Sequence, residues 1–265
     1  MSLGTDAYAE MPQIQRIYTE AVNAVHQPCL VAMDVSGSMG HTEPGEAKAN
    51  IQLAEEMINQ IGKDPQLESV KSTIDFCVMT FADQVDTVFD WKPLSQYRGG
   101  LNFTAGGRTA FHDVVKQSIN AVRALKNSYA VQGIDCKRPQ IFIITDGYST
   151  DPEDNPAVVD EAKTLCSKYI DKDNKIKVHV ILLPGGSTND ARDLASGIKL
   201  YKVEDCAYGL PAAGTFIRDS IVTFSSANLG STVKTKMPEG MKTTQTVQKD
   251  DSGNRFVTEK VETWN

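Results

Sequence analysis

Cys29-Leu30-Val31-Ala32-Met33-Asp34-Val35-Ser36-Gly37-Ser38 is the stretch on which the fold turns. An apolar run that ends abruptly in a carboxylate and two hydroxyls has the pattern of a buried parallel strand delivering polar groups at its carboxyl end. In open α/β sheets that edge is where ligands bind. Asp34, Ser36 and Ser38 stand at alternate positions, and Gly37 lets the backbone bend so that three oxygens face one point. Carboxylate plus neutral hydroxyls is hard-oxygen chemistry, suited to a small divalent cation such as Mg²⁺. On this stretch alone a second reading stays open, a Ser/Gly loop in which Asp34 caps the next helix.

The same design recurs downstream. Gln140-Ile141-Phe142-Ile143-Ile144-Thr145 is a buried strand ending in Asp146-Gly147, and Lys177 to Leu183 is another, closed by Pro184-Gly185-Gly186. Between the strands, Ala47, Ile51, Ala54, Met57, Ile58 and Ile61 mark an amphipathic helix stopped by Gly62. Val114, Val115, Ile119, Val122 and Leu125 mark a second helix, and residues 157–170, 189–197 and 212–227 read as three more. Residues 73–81 and 85–89 read as a hairpin around Asp83-Gln84, its second member at the sheet edge, and Leu200 to Val203 reads as the last sheet strand. Strands alternating with helices imply an α/β fold: a doubly wound, mostly parallel six-stranded sheet with one antiparallel edge strand and helices on both faces.

The reading divides the chain into an N-terminal extension (1–27), a central domain (28–229) and a C-terminal extension (230–265). In the first, Met11, Ile14, Ile17, Ala21 and Val25 have the spacing of a short amphipathic helix. In the last, residues 243–248 and 255–264 either pair as a hairpin around Asp250-Asp251-Ser252-Gly253-Asn254 or form part of a disordered Thr/Lys-rich tail.

Composition narrows the function. The 265 residues are 40% hydrophobic and 23% charged, enough for one large α/β domain with a full core. A net charge of −7 argues against non-specific nucleic-acid binding, which draws on Lys and Arg to neutralise phosphates. Five cysteines without a C-x-x-C pair, two of them inside apolar strands, point to buried thiols in a reducing compartment. With no basic stretch leading into an apolar run at the N-terminus, the expected location is cytoplasmic.

Three loops are expected to meet at one sheet edge, bringing Asp34, Ser36 and Ser38 from the first, Thr109 after Gly106-Gly107 from the second, and Asp146 from the third. In this order and spacing, Asp34-x-Ser36-x-Ser38, Gly-Gly-x-Thr109 and strand-terminal Asp146-Gly147 resemble the metal-ion-dependent adhesion site of the von Willebrand factor A (VWA) family. The resemblance covers about residues 29–227. Within the family, Met79-Thr80-Phe81-Ala82-Asp83, Ile144 to Asp151, and Phe216 to Ser226 look most like intracellular bacterial members, the last stretch being similar to tellurite-resistance TerY-like proteins. The resemblance implies that Ser36, Ser38 and Thr109 bind Mg²⁺ or Mn²⁺ directly, with Ca²⁺ less suited, and that Asp34 and Asp146 act directly or through water. It implies a protein partner that offers an Asp or Glu carboxylate to the metal, and a stress-response assembly rather than catalysis. Asp151 and Glu43 could tune the rim or fill an outer-shell position but read first as solvated loop carboxylates, and His112 and His179 read as packing residues. The alternative is a metal-dependent hydrolase such as a phosphatase. Against it, Ser36 stands where a haloacid-dehalogenase-like enzyme would want a second Asp, and no general base is evident beside the metal.

Overall fold

Strand β1 (Gln27–Asp34) is buried along its whole length and forms the centre of the sheet. A computed structural model of the chain describes residues 25–172, 175–243, 245 and 247–262. The helix read near the N-terminus falls mainly on residues 1–24, outside the described residues.

The side chains of β1 alternate between two cores, as the two-residue period of a strand requires. Leu30 and Ala32 enter one apolar cluster, and Cys29, Val31 and Met33 enter the other. After β1 come α1 (Asn50–Ile61), β2 (Ile74–Phe81), β3 (Val85–Pro93), α2 (Phe111–Gln132) and β4 (Gln140–Thr145). A one-turn helix α3 (Asp151–Asp154) precedes α4 (Pro156–Cys166), β5 (Lys177–Leu182), α5 (Thr188–Leu194), β6 (Lys199–Val203) and α6 (Cys206–Ser226). Helices α2, α4 and α5 pack on the first face, and α1 and α6 on the second. Gly133 ends α2 in the left-handed region at φ 67°, a conformation that glycine adopts without a Cβ penalty. Helix α6 starts six residues earlier than its periodicity indicates. Asp205 caps it by accepting from the Tyr208 amide at 2.7 Å, and Pro211 is carried inside the helix, where it forgoes one main-chain hydrogen bond.

The expected six strands with one antiparallel edge are corrected to seven with two. The order is β3-β2-β1-β4-β5-β6-β8, where β8 (Met241–Thr243) comes from the C-terminal segment and pairs antiparallel with β6. Strand β3 closes the other edge, also antiparallel. The described part of the C-terminal segment is folded. Strand β10 (Arg255–Lys260) lies between β7 (Thr232–Met237) and β9 (Gln248–Lys249) in an antiparallel sheet. The hairpin pairing Arg255 with Lys249 is there, but the main partner of β10 is β7. Among the described residues no helix is long and apolar enough to cross a membrane.

Chain order reverses between β1 and β4: β1 is followed outward by β2 on one side, and β4 by β5 on the other. The carboxyl ends of these two neighbours therefore frame a crevice, the position at which open α/β sheets bind ligands.

Candidate metal site at the carboxyl edge of the sheet

Asp34 ends β1 fully buried, and its carboxylate is fixed from two sides. Oδ1 accepts from the Ser36 amide at 2.8 Å, and Oδ2 accepts from the Thr145 hydroxyl. Thr145 is the last residue of β4, so the two central strands are fastened together at their carboxyl ends. The next residue, Asp146, accepts from Ser38 Oγ at 2.7 Å, and Ser38 Oγ lies 3.1 Å from Ser36 Oγ. Asp34, Ser36, Ser38 and Asp146 thus form one continuous cluster.

Thr109 arrives from the second loop. A Cβ on Gly147 would lie 2.9 Å from Thr109 Oγ1, which places that hydroxyl against the residue after Asp146. This loop is bonded to the first, Gly37 N donating to Gly107 O at 3.0 Å and Gly106 N to Val35 O at 2.9 Å. Gly107 has φ 75°, and any side chain there would collide with Asp83, whose Oδ1 accepts from Arg108 N at 2.9 Å. All five residues singled out from the sequence therefore meet at one edge. Ser36, Thr109 and Asp146 are buried or nearly so, and Ser38 faces solvent.

Burial dominates the electrostatics. It pushes the Asp34 carboxyl up to about 6, against the hydrogen bonds from Ser36 and Thr145, with a smaller contribution from the nearby Asp146 charge. Burial likewise raises Asp146, and the Ser38 hydrogen bond offsets part of that. Among the described residues neither carboxylate forms an ion pair with a Lys or Arg. Two buried carboxylates whose hydrogen-bond donors are hydroxyls and main-chain amides fit a divalent cation: the charges balance, and hydroxyls supply the remaining oxygens. Among the described residues no group of three or more His, Cys, Asp or Glu could hold a metal, so a site here depends on the serine and threonine oxygens.

Two residues that matter to this arrangement, Thr145 and Asp83, are not among the site residues read from the sequence, and a third, Asp151, has a different role from the one read there. Thr145 orients Asp34, and its signal was a hydroxyl closing an otherwise apolar strand. Asp83 supports Gly107 and Arg108 from the β2–β3 turn. Asp151 is not a solvated loop carboxylate: it is buried, because its Oδ2 accepts from the amides of His112 at 2.5 Å and Asp113 at 3.2 Å in the first turn of α2. Glu43 is partly buried in the first loop, where its charge reaches Cys206. Of the two histidines, His179 packs, stacking on Phe142 with ring centroids 4.7 Å apart, whereas His112 is buried in a polar contact, its Nδ1 2.7 Å from Ser149 Oγ and 3.5 Å from Asp151 Oδ2.

No protein-family model and no curated protein matches the sequence. Solved structures do share the fold. Proximal thread matrix protein 1 from the mussel byssus superposes with a TM-score of 0.50 at 18% identity, over 74% of this chain and 48% of that one. The PilB minor pilin of Streptococcus sanguinis gives 0.52 at 12% identity, over 78% of this chain and 64% of that one. The pilus adhesin SpaC of Lactobacillus rhamnosus GG gives 0.51 at 11%, over 91% and 38%. The chain thus spans less than two thirds of each neighbour's length. At these identities the likeness is one of fold, and the fold is VWA-like.

Proposed function

We propose that this protein is a metal-dependent protein-interaction module, and not an enzyme, in which Asp34, Ser36, Ser38, Thr109 and Asp146 hold a divalent cation at the carboxyl edge of the sheet. The observation that carries the reading is the meeting of two buried carboxylates and three hydroxyls, from three loops, with neither carboxylate paired to a Lys or Arg among the described residues. A bound Mg²⁺ or Mn²⁺ would leave a position open to a partner's Asp or Glu carboxylate and would let an acidic protein hold an acidic side chain. The protein's own groups prepare that step. Thr145 and the Ser36 amide fix the direction of Asp34, and Ser38 links the first loop to Asp146 on the exposed side. Tyr148, two residues past Asp146, is 69% exposed, and Tyr208 in the first turn of α6 is 78% exposed. These two aromatic side chains are suited to contact a partner beside the cation, since large aromatics on ordered backbone lose little entropy on binding.

The interaction unit in this proposal is residues 28–229, with 1–27 and 230–265 as extensions. A cytoplasmic location is supported by five free, buried cysteines. The narrower reading, a TerY-like role in a bacterial stress response, rests on the sequence stretches quoted above. The Ser149–His112 contact invites the hydrolase reading, but His112 is buried and the nearby Asp151 accepts from main-chain amides, which is the chemistry of a helix cap.

Calorimetric titration of EDTA-stripped protein with MgCl₂ tests the proposal, with Asp34→Ala alongside. Binding by the wild type alone is expected. Turnover of a generic phosphate ester in Mg²⁺ would instead favour a hydrolase.

A further inference from the structure

We infer that Asp151 is a positioning residue for this site. It holds Thr109 in register by clasping the loop after β4 to the first turn of α2. The inference rests on the metal-site reading above and adds a residue and a role to it.

Helix α2 begins without a side-chain cap of its own, because its N-cap residue is Ala110. The first-turn amides of a helix lack partners within the helix. Two of them, at His112 and Asp113, are satisfied from a loop some forty residues away, by Asp151 Oδ2. A carboxylate is favourable at a helix N-terminus, where the peptide dipoles converge. Burying it elsewhere in the interior would be costly without such donors. Its Oδ2 is thus occupied in holding α2.

The neighbours of Asp151 repeat the tie. Thr150 N donates to Thr109 O at 2.9 Å, while Thr109 N donates to Thr150 Oγ1 at 3.3 Å. Ser149 Oγ meets His112 Nδ1 at 2.7 Å, and the Ser149 amide donates to Asp190 of α5 at 2.9 Å. On the exposed side, Arg108 pairs with Asp154 at 2.7 Å. Residues 149–151 are therefore each bonded to the segment 109–113. Thr109 lies two residues before α2, so its hydroxyl goes where the helix start is held. Thr109 and Asp146 sit on different loops, and the clasp makes those loops one unit.

The experiment is a double-mutant cycle on Mn²⁺ affinity, read by calorimetry and by the electron paramagnetic resonance signal of free Mn²⁺. Asp151→Ala is expected to weaken Mn²⁺ binding by about 10- to 100-fold, the range found when groups supporting metal ligands are removed. Asp151→Asn keeps an oxygen acceptor for the two amides and is expected to recover most of that loss. In a Thr109→Ala background the Asp151→Ala effect should vanish, because the residue acts through Thr109. Thr150→Val removes one tie of the same clasp and should shift affinity a few-fold in the same direction, which serves if Asp151→Ala does not fold. Wild-type binding with Asp151→Ala unchanged overturns the inference alone. An Asp151→Ala loss that persists at full size in Thr109→Ala also overturns it. Failure of the wild type to bind Mn²⁺ overturns the metal-site reading, and the inference with it.

Discussion

The two ends of the central sheet are both rich in buried polar groups, and they treat charge in opposite ways. At the amino end, charged groups have partners within the protein. His26 Nδ1 lies 2.7 Å from Asp75, which also accepts from the Tyr129 hydroxyl, and all three residues are buried. The Lys137 ammonium donates to the carbonyls of Phe224, Ser225 and Ala227 at 2.6–2.9 Å and so closes the C-terminal end of α6. Arg138 pairs with Glu262. At the carboxyl end, Asp34 and Asp146 are near neighbours whose hydrogen-bond donors are hydroxyls and one amide. Buried charge is normally paired or bound to metal. The contrast shows how to tell a polar network that holds a fold together from one shaped for a ligand: the first joins cations to carbonyls and carboxylates of the protein itself, and the second leaves two buried carboxylates with no Lys or Arg partner among the described residues.

The largest effect should come from the carboxyl end. Asp34→Ala is expected to lower divalent-cation affinity by more than about 100-fold while leaving circular dichroism close to wild type and the protein folded, since relief of a carboxylate that burial disfavours offsets part of the loss of its bonds from Thr145 and the Ser36 amide. Loss of the fold would break the comparison by making the carboxyl-edge site structural. Lys137→Met should do the reverse. By leaving three carbonyls at the C-terminal end of α6 without their donor it should cost about 2–4 kcal/mol in urea unfolding, with metal affinity of the folded protein unchanged.

A smaller effect is expected in acid. Burial holds His179 down to about 3, against an ordinary value of 6.5. Below pH 6.5 the unfolded chain takes up a proton that the folded chain refuses, so this residue's stabilising contribution is intact above pH 6.5 and is lost progressively as pH falls toward 3. At about 1.4 kcal/mol per unit, it amounts to roughly 2–3 kcal/mol by about pH 4.5. Buried carboxyls such as Asp75 and Asp146, which are raised, act in the opposite sense. The readout is therefore the difference in stability–pH slope between wild type and His179→Phe, which should be the flatter in acid. The smallest effect belongs to the surface. Breaking the exposed Lys48–Glu56 pair with Lys48→Met should change stability by no more than about 0.5 kcal/mol, and added salt should erase the difference.

What the sequence discloses follows the same division. The strands before Asp34 and Asp146 are long, apolar and buried on both faces, so their ends can be located from the residues alone, and with them the groups that those ends carry. Thr109 could be placed through the two glycines before it. Asp151 could not, because its role depends on a helix start forty residues away in sequence, and a loop Asp in isolation looks solvated. Strands β8 and β9 have three and two residues, too few to show a period, and their partners are fixed only by tertiary contact. Pro211 likewise hides the true start of α6, since a proline within a helix looks like a boundary.

Strand β8 has one further consequence. The sheet ends on one side in β3, which is irregularly paired near Val78 and carries Asp86, Asp90 and Lys92, and on the other in a three-residue strand. Charged, interrupted or very short borders resist pairing with another molecule. Without the residues after Gly230, the main-chain donors and acceptors along one side of Tyr201–Val203 would lose their cover and become a template for a second chain. The C-terminal segment is then a device for solubility: a version shortened at that point should self-associate as its concentration rises, even with every residue of the cation site still in place.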